Sequence, residues 1–335
     1  MAKHNRKTSK RKSLAETTIS LLMERSRPVV CKAKEILADE ETKCSELREA
    51  LHQAMQEWDN IKHPGLLSIA CETVGGNPAS ATDIGAALLL MLTAAHIHDD
   101  IIDQTEIVDK RPTILRKYGS SMALLTGDTL LAKGLLLLHE ATQQLPDLRR
   151  KEIMNLVSSA FTEICCGEAK EAILRKNNRL TPQEYLEILK MRAAMGEVTM
   201  KIGAIMGNGA EEEVARLGSY GRTFGLLIAI RDEFADIFEP EELKSRFLHG
   251  SLPLPIMYAF QDEKKRSKIT SIMRKKRISK KDSYMLAELV RDSEEAKKLK
   301  RMMSKLKKEE LSCLAGKDYM GATLKSLMEA TSEDL

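Results

Sequence analysis

The sequence predicts an all-α fold, one large helical bundle, and three observations carry that reading. Helical periodicity dominates from about residue 14 to residue 328, with apolar positions recurring every three to four residues. Alternating β patterns are missing, as are closely spaced Asn-Gly or Asp-Gly turns. The apolar stretches 66–70, 86–102, 122–138, 153–166, 195–206 and 218–238 are, the first excepted, longer than typical strands.

Glycine and proline fall between these stretches and divide the elements in order. Pro64-Gly65 stands at the first, Gly75-Gly76-Asn77-Pro78 precedes the second, and Pro112-Thr113 and Pro146 set off the next two. Thr181-Pro182-Gln183-Glu184 combines an N-cap, a proline at the first helical position and a capping-box acid, so a helix starts there. Pro253 follows the last stretch. No internal repeat is present, so one domain is expected over 14–335, with a charged and looser C-terminal third. Residues 1–12 carry six Lys or Arg and no acid, which makes 1–13 a disordered basic tail and leaves the rest of the chain near −2 of the total +4.

Apolar residues make up 43% of the 335 residues, enough for a sizeable core. No window reaches the roughly 18 uninterrupted apolar residues of a membrane span, and the basic N-terminus lacks the apolar region of a signal peptide. Cysteines 31, 44, 71, 165, 166 and 313 form no C-x-x-C pair, which reads as reduced thiols of a cytoplasmic protein. A second basic stretch, 264–281, holds ten Lys or Arg. It reads as a solvated helix pair or loop, with anionic lipid headgroups as the alternative partner. Nucleic acid is excluded, because no aromatic residues interleave the charges.

The most informative residues are acidic. Asp99-Asp100-Ile101-Ile102-Asp103 and Asp232-Glu233-Phe234-Ala235-Asp236 each place carboxylates at i, i+1 and i+4 inside a long apolar run. Positions i and i+4 share a helix face. Anionic oxygens amid apolar helices are costly unless a cation neutralises them. Oxygen-only ligation without His or Cys suits Mg²⁺, which bridges carboxylates to substrate phosphates. The expected metal ligands are therefore Asp99, Asp100, Asp103, Asp232, Glu233 and Asp236. Two clusters 133 positions apart read as two helices facing one polyphosphate.

Over about residues 59–255 the chain resembles the all-trans isoprenyl diphosphate synthases, the class I prenyltransferases. His98-Asp99-Asp100-Ile101-Ile102-Asp103 matches their first aspartate-rich motif, and Ile230-Arg231-Asp232-Glu233-Phe234-Ala235-Asp236 the second. Between them, Pro112-Thr113, Gly119 and Gly127-Asp128-Thr129-Leu130-Leu131 match the intervening segment. The resemblance implies a bundle with a deep central cavity, usually dimeric, with Mg²⁺ ions that grip an allylic diphosphate and help it leave as pyrophosphate. Isopentenyl diphosphate then attacks the allylic cation. The family's side chains four and five positions before the first motif close the chain cavity when bulky. Here they are Ala95 and Ala94, so a donor of about C20 or longer is expected.

Departures from the family pattern cluster where isopentenyl diphosphate is bound. The family's Gly-Gly-Lys-Arg-x-Arg-Pro falls on Trp58-Asp59-Asn60-Ile61-Lys62-His63-Pro64, so Asn60 replaces a Lys and His63 an Arg. Leu92 stands for a family His, and Val108-Asp109 for an Arg pair. A Lys-Thr pair that touches the allylic diphosphate reads Met191-Arg192, and Lys244 or Arg246 would supply the basic residue of the loop after the second motif. One charge-assisted hydrogen bond to phosphate is worth about 1.5–3 kcal/mol, so losing three or four weakens binding by several powers of ten. The reading is then of a neutral hydroxylated acceptor, a sugar or polyol, with Asn60 and His63 lining its pocket and Asp109 as general base.

Ordinary elongation stays open if Lys62, Lys110 or Arg111 take over. A terpene synthase is disfavoured by 4% aromatics, since cyclases fold carbocations against aromatic faces. A modulating subunit of a heteromeric synthase has no need to keep two acidic clusters. Gly127-Asp128 and Tyr185 read as structural, and His96 and His98 as core hydrogen-bonding groups.

Overall fold

The computed structural model of the chain describes residues 14–38, 42–56, 61–108, 110–177, 179–314 and 319–332; the expected basic tail lies outside them. The first helices are α1 (Leu14–Ala38), α2 (Ser45–Gln56), α3 (Lys62–Thr73) and α4 (Thr82–Asp103), which carries the first acidic cluster at its C-terminal end. A hairpin, β1 (Ile107–Val108) against β2 (Arg111–Pro112), and α5 (Ile114–Tyr118) lead into α6 (Ser120–Thr142). Next come α7 (Asp147–Lys176), α8 (Pro182–Arg192), α9 (Ala194–Met206) and α10 (Glu211–Ala235), which carries the second cluster and continues as a 3₁₀ turn, Asp236–Phe238. The remaining helices are α11 (Pro240–Leu248), α12 (Leu254–Phe260), α13 (Glu263–Met273), α14 (Lys280–Arg291), α15 (Glu294–Cys313) and α16 (Tyr319–Ala330). The all-α expectation holds.

The sequence signals act where they stand. Thr181 closes a capping box with Glu184 and starts α8. Gln104, in the left-handed region at φ 54°, ends α4 directly after Asp103. Helices α9 and α10 cross at Gly196 and Gly221, where a Cβ on either residue would collide with the other's carbonyl oxygen. That crossing fixes the position of α10, and hence of the second cluster, against the bundle.

Two expectations need correction. The hairpin is unforeseen, because strands of two residues carry no alternation to detect. The C-terminal third is not loose: Ile256, Ile269, Leu286, Leu299 and Leu327 join one buried cluster with Tyr220 and Phe224. The Tyr220 hydroxyl donates to the Leu324 carbonyl at 2.8 Å, fastening α16 to α10. Two segments, Pro78–Asp103 and Ser120–Thr142, are long and apolar enough to cross a membrane by length and mean composition, although polar residues interrupt both. The first is mostly buried in the core, whereas α6 leaves Leu124, Leu125, Leu135 and Leu136 exposed along one face.

Candidate active site

Asp99 and Asp103 lie one turn apart near the end of α4 and look toward α7 and α8. Asp99 Oδ1 is buried without a hydrogen-bond partner. Burial pushes its carboxyl up to about 8, with Glu168 and Asp103 adding to the effect and Arg192 opposing it. Asp103 accepts a hydrogen bond from Arg175 Nη2 at 2.7 Å, and the same nitrogen donates to Glu171 at 2.7 Å. Arg192 donates to Glu168 at 2.6 Å and to Glu171 at 2.9 Å. The first cluster thus sits in a network of two arginines and two further carboxylates. Asp100 is half-buried beside it.

The second cluster divides in two. Asp232 is exposed and accepts from Lys62 Nζ at 3.0 Å. Glu233 is buried, and both its oxygens are engaged. Tyr185 donates to Oε1 at 2.8 Å, the Leu254 amide to Oε2 at 2.7 Å, and Arg246 Nη2 to Oε2 at 3.0 Å. Arg246 also pairs with Asp236. Burial, then Glu233, push the Asp236 carboxyl up to about 8, with Arg246 opposing.

Two side chains join the clusters across the bundle. The Lys62 ammonium bound to Asp232 lies within electrostatic reach of His96 on α4. The Tyr185 hydroxyl bonded to Glu233 is within reach of Glu171 and Arg192 on the other side. The elements that hold the two clusters are thus electrostatically linked on both sides.

Several expected site residues have different duties. Glu233, expected as a metal ligand, is instead the structural anchor of Arg246. Arg246 and Arg192, expected to hold a diphosphate, are each saturated by two internal carboxylates. Lys244 donates to the Met273 carbonyl at 3.3 Å. Leu92 is buried at 5% exposure. Ala94 is enclosed at 1% exposure among Leu51, Met55 and Leu90, while Ala95 is partly open. His63 Nδ1 lies 3.2 Å from Thr199 Oγ1, and its ring is held neutral, pushed down to about 3 by burial, then His96 and Lys62. It is partly buried. Asn60 and Asp109 lie outside the described residues. His96 is exposed and no core group. Its neighbour His98 lies 3.4 Å from Asp128 and packs on Gly127, where any Cβ would strike the ring.

The sequence reading missed Glu168, Glu171 and Arg175. Their spacing of i, i+3 and i+7 puts them on one face of α7, a signal available in the sequence but identical to that of a solvated face.

Divalent-cation fit differs between the two halves. The orphaned Asp99 oxygen, with Asp103 one turn on, suits a cation, as does exposed Asp232. Among the described residues no three Asp, Glu, His or Cys side chains enclose an ion by themselves. That matches Mg²⁺ chemistry, in which one or two carboxylates act with the substrate's own phosphates.

The profile of the family described as Polyprenyl synthetase matches residues 41–290. The chain belongs to that family. Members of the polyprenyl synthetase family are prenyltransferases. The chain is 34% identical over 219 residues to the short chain isoprenyl diphosphate synthase of Methanothermobacter thermautotrophicus, covering 63% of this chain and 66% of that protein. It is 29% identical over 226 residues to the geranylgeranyl diphosphate synthase of Methanosarcina mazei, covering 66% and 69%. The matches thus span about two thirds of these relatives' length. The crystal structure of geranylgeranyl pyrophosphate synthetase from Pyrococcus horikoshii superposes with a TM-score of 0.82 at 25% identity, over 96% of this chain and 100% of that one.

Proposed function

We propose that this polyprenyl synthetase family member ionises an allylic diphosphate and elongates it with isopentenyl diphosphate, giving a product of geranylgeranyl class and pyrophosphate. The reading rests on two links: Lys62 pairs with Asp232 and lies within electrostatic reach of His96 on the helix of the first cluster, and Tyr185 ties Glu233 to the Glu171–Arg192 network beside it. The relatives' names support the substrate class.

The neutral hydroxyl acceptor expected above gives way, and so does the donor of about C20 or longer, because a geranylgeranyl product is made from a shorter allylic donor. Two of the acceptor's four supports, Asn60 and Asp109, lie outside the described residues, and Leu92 faces the core. Lys62, by contrast, brings a cation into the site, where a diphosphate would meet it.

Mg²⁺ held by Asp99, Asp103 and Asp232 would neutralise the diphosphate as it leaves. The chain's own part is positional. Arg175 fixes Asp103, and Arg192 holds Glu168 beside Asp99, so the carboxylates are oriented before substrate arrives. Lys62 adds positive charge beside the leaving group. As the carbon–oxygen bond of the donor breaks, the double bond of isopentenyl diphosphate forms the new carbon–carbon bond. The proton lost from the adjoining carbon leaves with pyrophosphate. Partly open Ala95, one turn below Asp99, leaves room for the growing chain.

A homodimer is part of the proposal: the Leu124, Leu125, Leu135 and Leu136 face of α6 is an apolar stripe that a second copy would cover. Pyrophosphate release tests the reaction. Release should need a divalent cation and both diphosphates together; none under any cation condition overturns it.

A further inference from the structure

We infer that the loop between α13 and α14, with the exposed Phe238–Tyr284 pair beside it, is a docking surface for an anionic lipid bilayer. Within the basic stretch, Lys268, Arg274, Lys276, Arg277, Lys280 and Lys281 are exposed and form no ion pair among the described residues. Lys275 is different: it is spent on buried Asp282, which caps α14. Apart from Lys268 on α13, the unpaired cations therefore crowd one short turn and the first turn of α14. Like charges so placed repel one another unless an extended anion lies opposite.

An apolar element adjoins them. Tyr284 is one turn beyond Lys280 on α14, 64% exposed, and Phe238 meets it edge-on at 6.0 Å while itself 50% exposed. Met285 is exposed as well. Two aromatic rings left in water beside unpaired lysines and arginines match the chemistry of a bilayer interface, where rings sit among headgroups and cations meet lipid phosphates. The acids nearest in sequence are Asp236, Glu239, Glu241, Glu242, Asp262, Glu263, Asp282 and Glu288, of which Asp236 and Asp282 are spent on Arg246 and Lys275. A nucleic-acid partner fits less well, since the rings stand apart from the basic run instead of alternating with it.

The surface is also placed next to the site. Phe238 ends the 3₁₀ turn that begins at Asp236. Lys244 on α11, the helix bearing Arg246, donates to the Met273 carbonyl at the start of the basic turn. A bilayer seated there would lie beside the second acidic cluster. The inference stands on the surface alone and does not depend on the reaction proposed above.

The test is co-sedimentation of the full chain with phosphatidylcholine vesicles, with and without phosphatidylglycerol. Binding is expected only with the anionic lipid and should fall as salt is raised. The double reversal Lys276→Glu with Arg277→Glu should weaken it on the order of 100-fold. Tyr284→Ser should weaken it about 5-fold with the salt dependence unchanged. Both substitutions are at exposed positions, and matching thermal melts would show that the variants fold. Equal binding to neutral vesicles, no binding, an unaffected reversal variant, or a preference for mixed-sequence RNA over vesicles would each overturn the inference.

Discussion

Arg246 Nη2 lies 3.0 Å from Glu233 Oε2, inside a pocket closed by the Tyr185 hydroxyl and the Leu254 amide. The pair joins α11 to α10 and leaves Glu233 no oxygen for an ion. Glu233→Ala strands a buried guanidinium with Asp236 as its remaining anion. Breaking such a pair costs about 3–5 kcal/mol. Urea unfolding should show that loss with or without Mg²⁺. A variant of normal stability that has lost its cation affinity would instead make Glu233 a ligand.

Asp99 should behave in the opposite way. Its Oδ1 is buried without a partner, so the carboxylate is a burden on the cation-free fold. Asp99→Asn should melt at or above the wild-type temperature without cation while turnover falls ~10²–10³-fold, the scale of removing an electrostatic contact to developing charge. Wild-type turnover in this variant would remove Asp99 from the site.

His63 sets a pH limit. Its folded-state pKa is lowered to about 3 from the usual 6.5, chiefly by burial. A depressed pKa contributes stability that is complete above the unfolded value and lost as pH falls toward the folded one. Stability should therefore decline below about pH 6.5. After allowance for its partial exposure, the loss by pH 4.5 should be ~1–2 kcal/mol. His63→Gln, which can keep the hydrogen bond to Thr199, should flatten the difference in a pH series of melts. Parallel curves for the two proteins would show that His63 is not the group responsible.

The two alanines below Asp99 separate packing from specificity. Ala94 is enclosed and Ala95 partly open. Ala94→Phe should destabilise by about 1–3 kcal/mol through overpacking. Ala95→Phe should leave stability near wild type and shorten the product, as the ring takes the volume a growing chain would fill. Thermal melts and product chromatography distinguish the two; an unchanged product length in Ala95→Phe would place the chain cavity elsewhere.

The helical class and both acidic clusters were legible because each depends on local spacing: helical periodicity, and carboxylates at i and i+4 in apolar runs. The division of labour within a cluster was not. Asp232 and Glu233 are adjacent in sequence but about 100° apart around the helix, and only the packing of α8 and α11 decides which one meets solvent. Glu168, Glu171 and Arg175 stayed hidden for a related reason. A charged stripe on a 30-residue helix reads the same whether it faces water or another charged helix. Lys62 could be named as a candidate, yet its pairing with Asp232 spans 170 positions and leaves no local trace.

Elongation with isopentenyl diphosphate is what the two acidic clusters are proposed to support. The most direct measurement is mass spectrometry of the products formed from an allylic diphosphate, Mg²⁺ and isopentenyl diphosphate as the sole acceptor, with a parallel reaction that adds sugars and polyols. Prenyl diphosphates extended by five-carbon units, up to geranylgeranyl length, are expected in both reactions, and none once the cation is chelated. Prenyl ethers formed only when a hydroxyl compound is present, with no extended diphosphate in either reaction, would contradict elongation.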